Sequence, residues 1–269
     1  LFSTVRVENG VPQLWSYHQQ RLAKGVQALG IPLDLDQLQA SLQTLLDQLQ
    51  QAGHTNGVLK LLISRGTGRR GYLPPEQPEP LLIGYWQDMT FQPATPIIVG
   101  LLDNRLGLVR PKLSGLKTLN RLEQVVLRQE LAQHADWQGA LVCDVLGYLR
   151  EGVSSNLFYK LKGSERWYTP DSTLAGIEGV YRAWVLDEFE QKAIPFAVAQ
   201  HRLLEPLSLF HALENPATEL IELDKIDSLF FCNALSGMVP VGQLASDNGR
   251  LELNLSPVNA LIRQIRQGA

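Results

Sequence analysis

Apolar and polar residues alternate with period two in FSTVRV at positions 2–7, Asn9 and Gly10 follow as a tight-turn pair, and VPQLW comes next. This pattern predicts that the chain opens on a β-hairpin. The period then lengthens. From Ser16, Leu22, Val26 and Leu29 recur at helical spacing up to Gly30, and Leu35, Leu38, Leu42, Leu45, Leu46 and Leu49 mark a second helix before Gly53. GVLKLLIS and LLIGYW have the apolar runs of buried strands. They flank residues 66–80, whose Gly, Arg and Pro content fits no regular element and whose length points to a functional loop.

Residues 87–96, with Pro93 and Pro96 and little periodicity, form the expected linker. Beyond it the pattern predicts a strand at IIVGLLD, a helix from about 119 to 134, and strands at ALVCDV and NLFYKL. A helix near 177–191, a strand at SLFFCNA and a final helix complete it. Strands and helices mix without regular βαβ alternation, so two α+β lobes are expected rather than a doubly wound sheet. The expected division is a small N-terminal domain over 1–86, the linker, and a larger domain over 97–269, with the ligand site between the lobes.

Composition narrows the function classes. At 269 residues the chain can bury a substantial core, and its 19% charged content lies below the usual share of about 25%. A formal net charge of -3 gives no general attraction to nucleic acid or an anionic membrane, so any anion must be held locally. Cys143 and Cys232 sit in apolar stretches, as reduced buried thiols of a cytoplasmic protein do. No run of about 18 apolar residues and no targeting segment is visible. The chain begins on a strand without Met, which is expected if a short N-terminal piece is missing.

Common motifs fail. GTGRRG at 66–71 matches G-x-G-x-x-G after a strand, yet YLPP follows where a dinucleotide fingerprint requires a helix to open. No P-loop, H-E-x-x-H, G-x-S-x-G or paired Cys-x-x-Cys occurs, and the five His residues are dispersed, so no metal site is expected.

Five separated stretches carry candidate chemistry: HQQRL at 18–22, SGLKTLNRLEQ at 114–124, REGVSSNLF at 150–158, TPDSTLAGIEG at 169–179 and CNALSGMVPV at 232–241. In order and spacing they resemble fold type IV pyridoxal-phosphate enzymes. RGTGRRGY followed by GLKTLNRLEQV resembles the aminodeoxychorismate lyases within that group. The resemblance spans essentially the whole chain. It implies a two-domain α+β fold like that of D-amino-acid aminotransferases, pyridoxal 5'-phosphate as cofactor, a small-molecule substrate and a homodimer. The implied reaction releases pyruvate and forms 4-aminobenzoate; a branched-chain or D-amino-acid aminotransferase of the same fold is the alternative, and a noncatalytic scaffold a third.

The resemblance assigns Lys117 to the Schiff base and proton transfer, and a partly desolvated amine suits both tasks. Leu113, Leu116 and Leu119 would frame it. By itself, a lysine before a helix is more often a solvated charge. Glu151 would face the pyridine nitrogen, which a carboxylate keeps protonated, although it could also be a turn acid. Arg21 would bind the phosphate with the amides of Ile177 and Glu178, where a helix begins, and of Asn233, Ala234 and Leu235. Its stem could equally cover apolar surface. Asn156 belongs to the same implied cofactor set, and Thr4 to proton movement on the substrate, though it also suits a strand. Arg69, Arg70 and Arg105 are candidate substrate carboxylate ligands, and Asn120 and Arg121 candidate pocket residues.

Overall fold

A computed structural model describes residues 1–68, 71–203, 220–246 and 249–266. The chain divides into two compact units, the first Leu1–Gln92 with Leu116–Asn120, the second Pro93–Gly115 with Arg121–Ala269. The segment carrying Lys117 thus groups with the N-terminal residues and not with the sequence around it.

In the first unit, β1 (Phe2–Glu8) and β2 (Val11–Pro12) form the expected hairpin. Asn9 and Gly10 both take positive φ, 51° and 77°, which the primed turn between two paired strands requires. Helices α1 (Trp15–Leu29) and α2 (Leu35–Gln51) follow; Gly30 ends α1 in the left-handed conformation, and Asp34 caps α2 through the amides of Asp36 and Gln37. Strands β3 (Gly57–Ser64) and β4 (Leu81–Asp88) complete a sheet of order β2-β1-β3-β4. β4 therefore takes up the first two positions of the 87–96 segment. Ser3, Val5 and Val7 of β1 are buried on one face, with Val5 and Val7 packed in a core with Leu42, Leu46, Leu59 and Leu61.

The second unit holds β5 (Ile97–Leu101), α3 (Leu122–Leu131), β6 (Gly139–Cys143), β7 (Leu149–Gly152), β8 (Asn156–Leu161) and β9 (Trp167–Pro170). It continues through α4 (Val180–Gln191), β10 (Phe196–Ala199), β11 (Arg202–Leu203) and β12 (Leu220–Ile221). β13 (Ile226–Asn233), β14 (Gly237–Ser246), β15 (Gly249–Glu252) and α5 (Ser256–Arg266) end it. Its large sheet runs β10-β9-β8-β13-β14-β5-β6-β7, with β15 added on β14. Helices α4 and α5 bury Val185, Phe189, Val258, Leu261 and Ile265 against Phe158, Phe230 and Cys232 of this sheet.

Two helix starts differ from expectation. α3 begins at Leu122 rather than near 119, and α4 at Val180 rather than 177. Before α4, Ile177 and Glu178 are held by bonds to other segments, described below, which compete with helical geometry. Both cysteines are buried, and burial pushes the Cys232 thiol up to about 12, so it stays protonated and inert. Among the described residues no helix is long and apolar enough to cross a membrane, and no three His, Cys, Asp or Glu side chains gather as a metal site.

Candidate active site

In the first unit the site grows from β1. Its alternation sends Phe2, Thr4 and Arg6 to one face and Ser3, Val5 and Val7 to the other. The Phe2 amide donates to the Lys117 carbonyl at 3.0 Å, tying the 116–120 segment to the strand's start. The Lys117 ammonium lies 4.6 Å from the centre of the Phe2 ring, and Lys60, paired with Thr4 across β1 and β3, brings a second ammonium to 5.2 Å. Leu116 is buried, whereas Leu113 and Leu119 are 43% and 51% exposed. The three-leucine frame expected around Lys117 is thus reduced to Leu116, and the Phe2 ring is the apolar surface that meets the amine. Thr4 lies on the Phe2 face of β1, and Asn120 is exposed.

On the opposite face Arg21 Nη2 donates to Ser3 Oγ at 2.8 Å, and the same oxygen lies 2.7 Å from His18 Nδ1. His18 is fully buried and stacks on Trp15. Burial, then the positive charges of Arg21 and Lys117, push its pKa down to about 3, so it is neutral. The sequence stretch HQQRL contained His18, but a histidine on an apolar helix face gives no signal of its own.

In the second unit β7 and β8 meet at a short turn, closed by Gly152 N–H donating to Ser155 O at 2.7 Å, and present Glu151 and Asn156 to residues 176–179. Glu151 Oε2 accepts from the Ile177 amide at 2.9 Å, and Asn156 Nδ2 donates to the Ile177 carbonyl at 2.9 Å. The Glu178 amide donates to Gly115 O at 3.0 Å. Gly176, at φ +89°, leaves room for the Glu151 carboxylate. Glu151 is 5% exposed, and its charge acts on Arg121, whose guanidinium is half-buried with a pKa lowered by burial and supported by Glu151 and Glu123. Arg150, the neighbour of Glu151, pairs with Asp144 at 2.7 Å with both side chains wholly buried, which fixes β7.

The expected phosphate cradle at Ile177 and Glu178 lies just outside the helix rather than at its first turn. These amides precede α4 by three and two residues and already have protein acceptors. In the turn after β13, Asn233 Oδ1 accepts from the Leu235 and Ser236 amides at 2.9 Å each, and Ala234, between Asn233 and Leu235, is half-buried. Arg105 lies half-buried next to the bridge joining Leu106 and Asp144. Arg69 and Arg70 lie outside the described residues.

The model of the family described as amino-transferase class IV matches residues 1–244. The chain is 27% identical to an aminodeoxychorismate lyase of Vibrio harveyi, over 98% of this chain and 89% of that one. It superimposes on a 4-amino-4-deoxychorismate lyase crystal structure from Pseudomonas aeruginosa with a TM-score of 0.81 at 32% identity, covering 99% of this chain and 90% of that one. A branched-chain aminotransferase structure from Escherichia coli, at 19% identity, shares the fold with a TM-score of 0.73, over 100% and 84% of the two chains.

Proposed function

The chain belongs to the class IV amino-transferase family, and on that footing we propose that it is a pyridoxal-phosphate-dependent lyase converting 4-amino-4-deoxychorismate to 4-aminobenzoate and pyruvate. The observation that carries the reading is the donor set. One chain supplies an amine on an aromatic face at Lys117, a guanidinium at Arg21 and a buried carboxylate at Glu151. These match an aldehyde, a phosphate and a protonated pyridine nitrogen, and Gly176 leaves the carboxylate the space a Cβ would fill. The chain's 27% and 32% identity to two proteins named as this lyase supports the substrate.

Pyridoxal phosphate, when bound, supplies an electron-withdrawing ring that accepts the electron pair left after a proton is removed from carbon. Lys117 would hold the aldehyde carbon and, once released by the substrate amine, take the proton from the amine-bearing carbon. Glu151 would keep the proton on the ring nitrogen. Arg21 would bind the phosphate, joined by the turns at Ile177 and Glu178 and at Asn233, Ala234 and Leu235 if their amides exchange present acceptors for it; Asn156 would hold the first turn in place. The Thr4 hydroxyl, on the Phe2 face of β1, would move a proton on the substrate. Arg105, Arg69, Arg70, Asn120 and Arg121 are left as candidates for the substrate itself.

The same reading implies a cytoplasmic homodimer. Leu122, Val125 and Val126 form an exposed apolar strip at helical spacing on α3, which a second copy would cover. Sedimentation at assay concentration tests the dimer. The decisive experiment supplies aminodeoxychorismate to the purified holoenzyme: pyruvate and 4-aminobenzoate are expected in equal amounts, and borohydride reduction should fix the cofactor on Lys117. Efficient transfer from an amino donor to a 2-oxo acid without pyruvate release would instead make it an aminotransferase, and a chain that binds no pyridoxal phosphate would end the reading.

A further inference from the structure

His18 is retained at a cost that its packing does not explain. Its Nδ1 lies 2.7 Å from Ser3 Oγ, but its buried Nε2 has no hydrogen-bond partner among the described residues. A phenylalanine of similar size would fill the same space without an unmatched polar atom. His18 and Arg21 stand three positions apart on α1, so their side chains share a face, and both meet the same oxygen of β1.

Counting hydrogens orders the three groups. A serine hydroxyl has one hydrogen to donate and two lone pairs. If Nδ1–H donated to Ser3, both the Ser3 hydrogen and the Nε2 lone pair would be unmatched. If Ser3 donates to Nδ1, Nε2–H is unmatched instead, one group rather than two. The favoured direction therefore runs from Arg21 Nη2–H to Ser3 Oγ–H to His18 Nδ1.

We propose that Ser3 and His18 are positioning residues that orient the Arg21 guanidinium for the cofactor phosphate before the phosphate arrives; the proposal rests on Arg21 being a phosphate ligand. Arginine carries a long side chain with many rotamers, and anchoring one Nη removes much of that freedom in advance. The neutrality of the anchor matters. A carboxylate in place of Ser3 would orient the guanidinium equally well, but it would cancel the charge that attracts the phosphate. A hydroxyl backed by an uncharged imidazole orients without neutralising.

The test compares pyridoxal phosphate with pyridoxal, which lacks the phosphate, by equilibrium dialysis against the apoenzyme. Ser3→Ala and His18→Phe should each weaken pyridoxal phosphate binding by about tenfold, the scale of one lost hydrogen bond to a charged group, and leave pyridoxal binding unchanged. Ser3→Thr and His18→Asn, which keep a hydroxyl and a group at the Nδ1 position, should retain wild-type affinity. Equal losses for both ligands would indicate general damage and overturn the proposal. So would unchanged phosphate affinity in Ser3→Ala while Arg21→Ala loses it, an outcome that leaves the cofactor reading intact. Wild-type protein that binds no pyridoxal phosphate overturns both. Should His18→Phe not fold, the Ser3→Ala and Ser3→Thr pair decides alone.

Discussion

Gly176 shows how one backbone position conditions a charged side chain. At φ +89° an L side chain is strained, and a Cβ built there would stand 2.9 Å from Glu151 Oε2 and 3.3 Å from its carboxyl carbon. The penalties add, because relieving the contact means moving a carboxylate that also accepts the Ile177 amide. Gly176→Ala is expected to cost about 1–3 kcal/mol, the range for a residue held in a sparsely populated region. Urea unfolding measures this, and an unchanged midpoint would show that the loop relaxes freely. With Glu151 in the role proposed for it at the ring nitrogen, weaker cofactor binding should accompany the loss. Gly179 sets a parallel condition: its Cβ would fall 1.9 Å from Asn156 Oδ1, so the side chain that holds the Ile177 carbonyl also depends on a glycine.

At the scale of elements, α2 offers a clean separation of stability from chemistry. Its first turn depends on Asp34 Oδ1, which accepts from the Asp36 amide at 2.9 Å and the Gln37 amide at 3.4 Å. Asp34→Ala should cost about 1 kcal/mol, seen as a lower midpoint in thermal unfolding, while cofactor affinity stays at the wild-type value. Helices of this kind were legible because their periodicity is local: the leucines of α2 and the Asn9-Gly10 turn each settle their own geometry. Strands β7, β9, β10, β11 and β12, of two to four residues, are too short for a period to show and depend on neighbouring strands for definition. The late start of α4 has the same origin. The amides of Ile177 and Glu178 bond to Glu151 and Gly115, partners 26 and 63 positions away by residue number, which no window of sequence contains. For the proposed site, Lys117, Arg21 and Glu151 are named from motif order. The Phe2 ring under the amine and the Ser3–His18 anchor cannot be, because strand alternation puts a residue on a face without saying what meets it there.

At the scale of the whole molecule, a net charge of -3 provides no general pull on a phosphate, so the cationic groups of the first unit must act locally. Their effect on His18 becomes visible in global stability. Burial first, then the charges of Arg21 on the same helix and of Lys117 in the 116–120 segment, hold the imidazole's pKa at about 3 against an ordinary 6.5. Because the folded value is depressed, the unfolded chain binds a proton at His18 between these two pH values and the folded chain does not. Stability from this group is therefore complete above pH 6.5 and declines as pH falls, at roughly 1.4 kcal/mol per pH unit, until the folded imidazole itself titrates near 3. Carboxylates add their own acid dependence, so the informative quantity is a difference. His18→Asn cannot take up this proton, and its unfolding free energy plotted from pH 7 to pH 4 should fall less steeply than wild type by about that slope. The two curves should run parallel above pH 7. Curves parallel across the whole range would mean that His18 is protonated in the folded protein, and the direction assigned from Ser3 to Nδ1 would then be wrong.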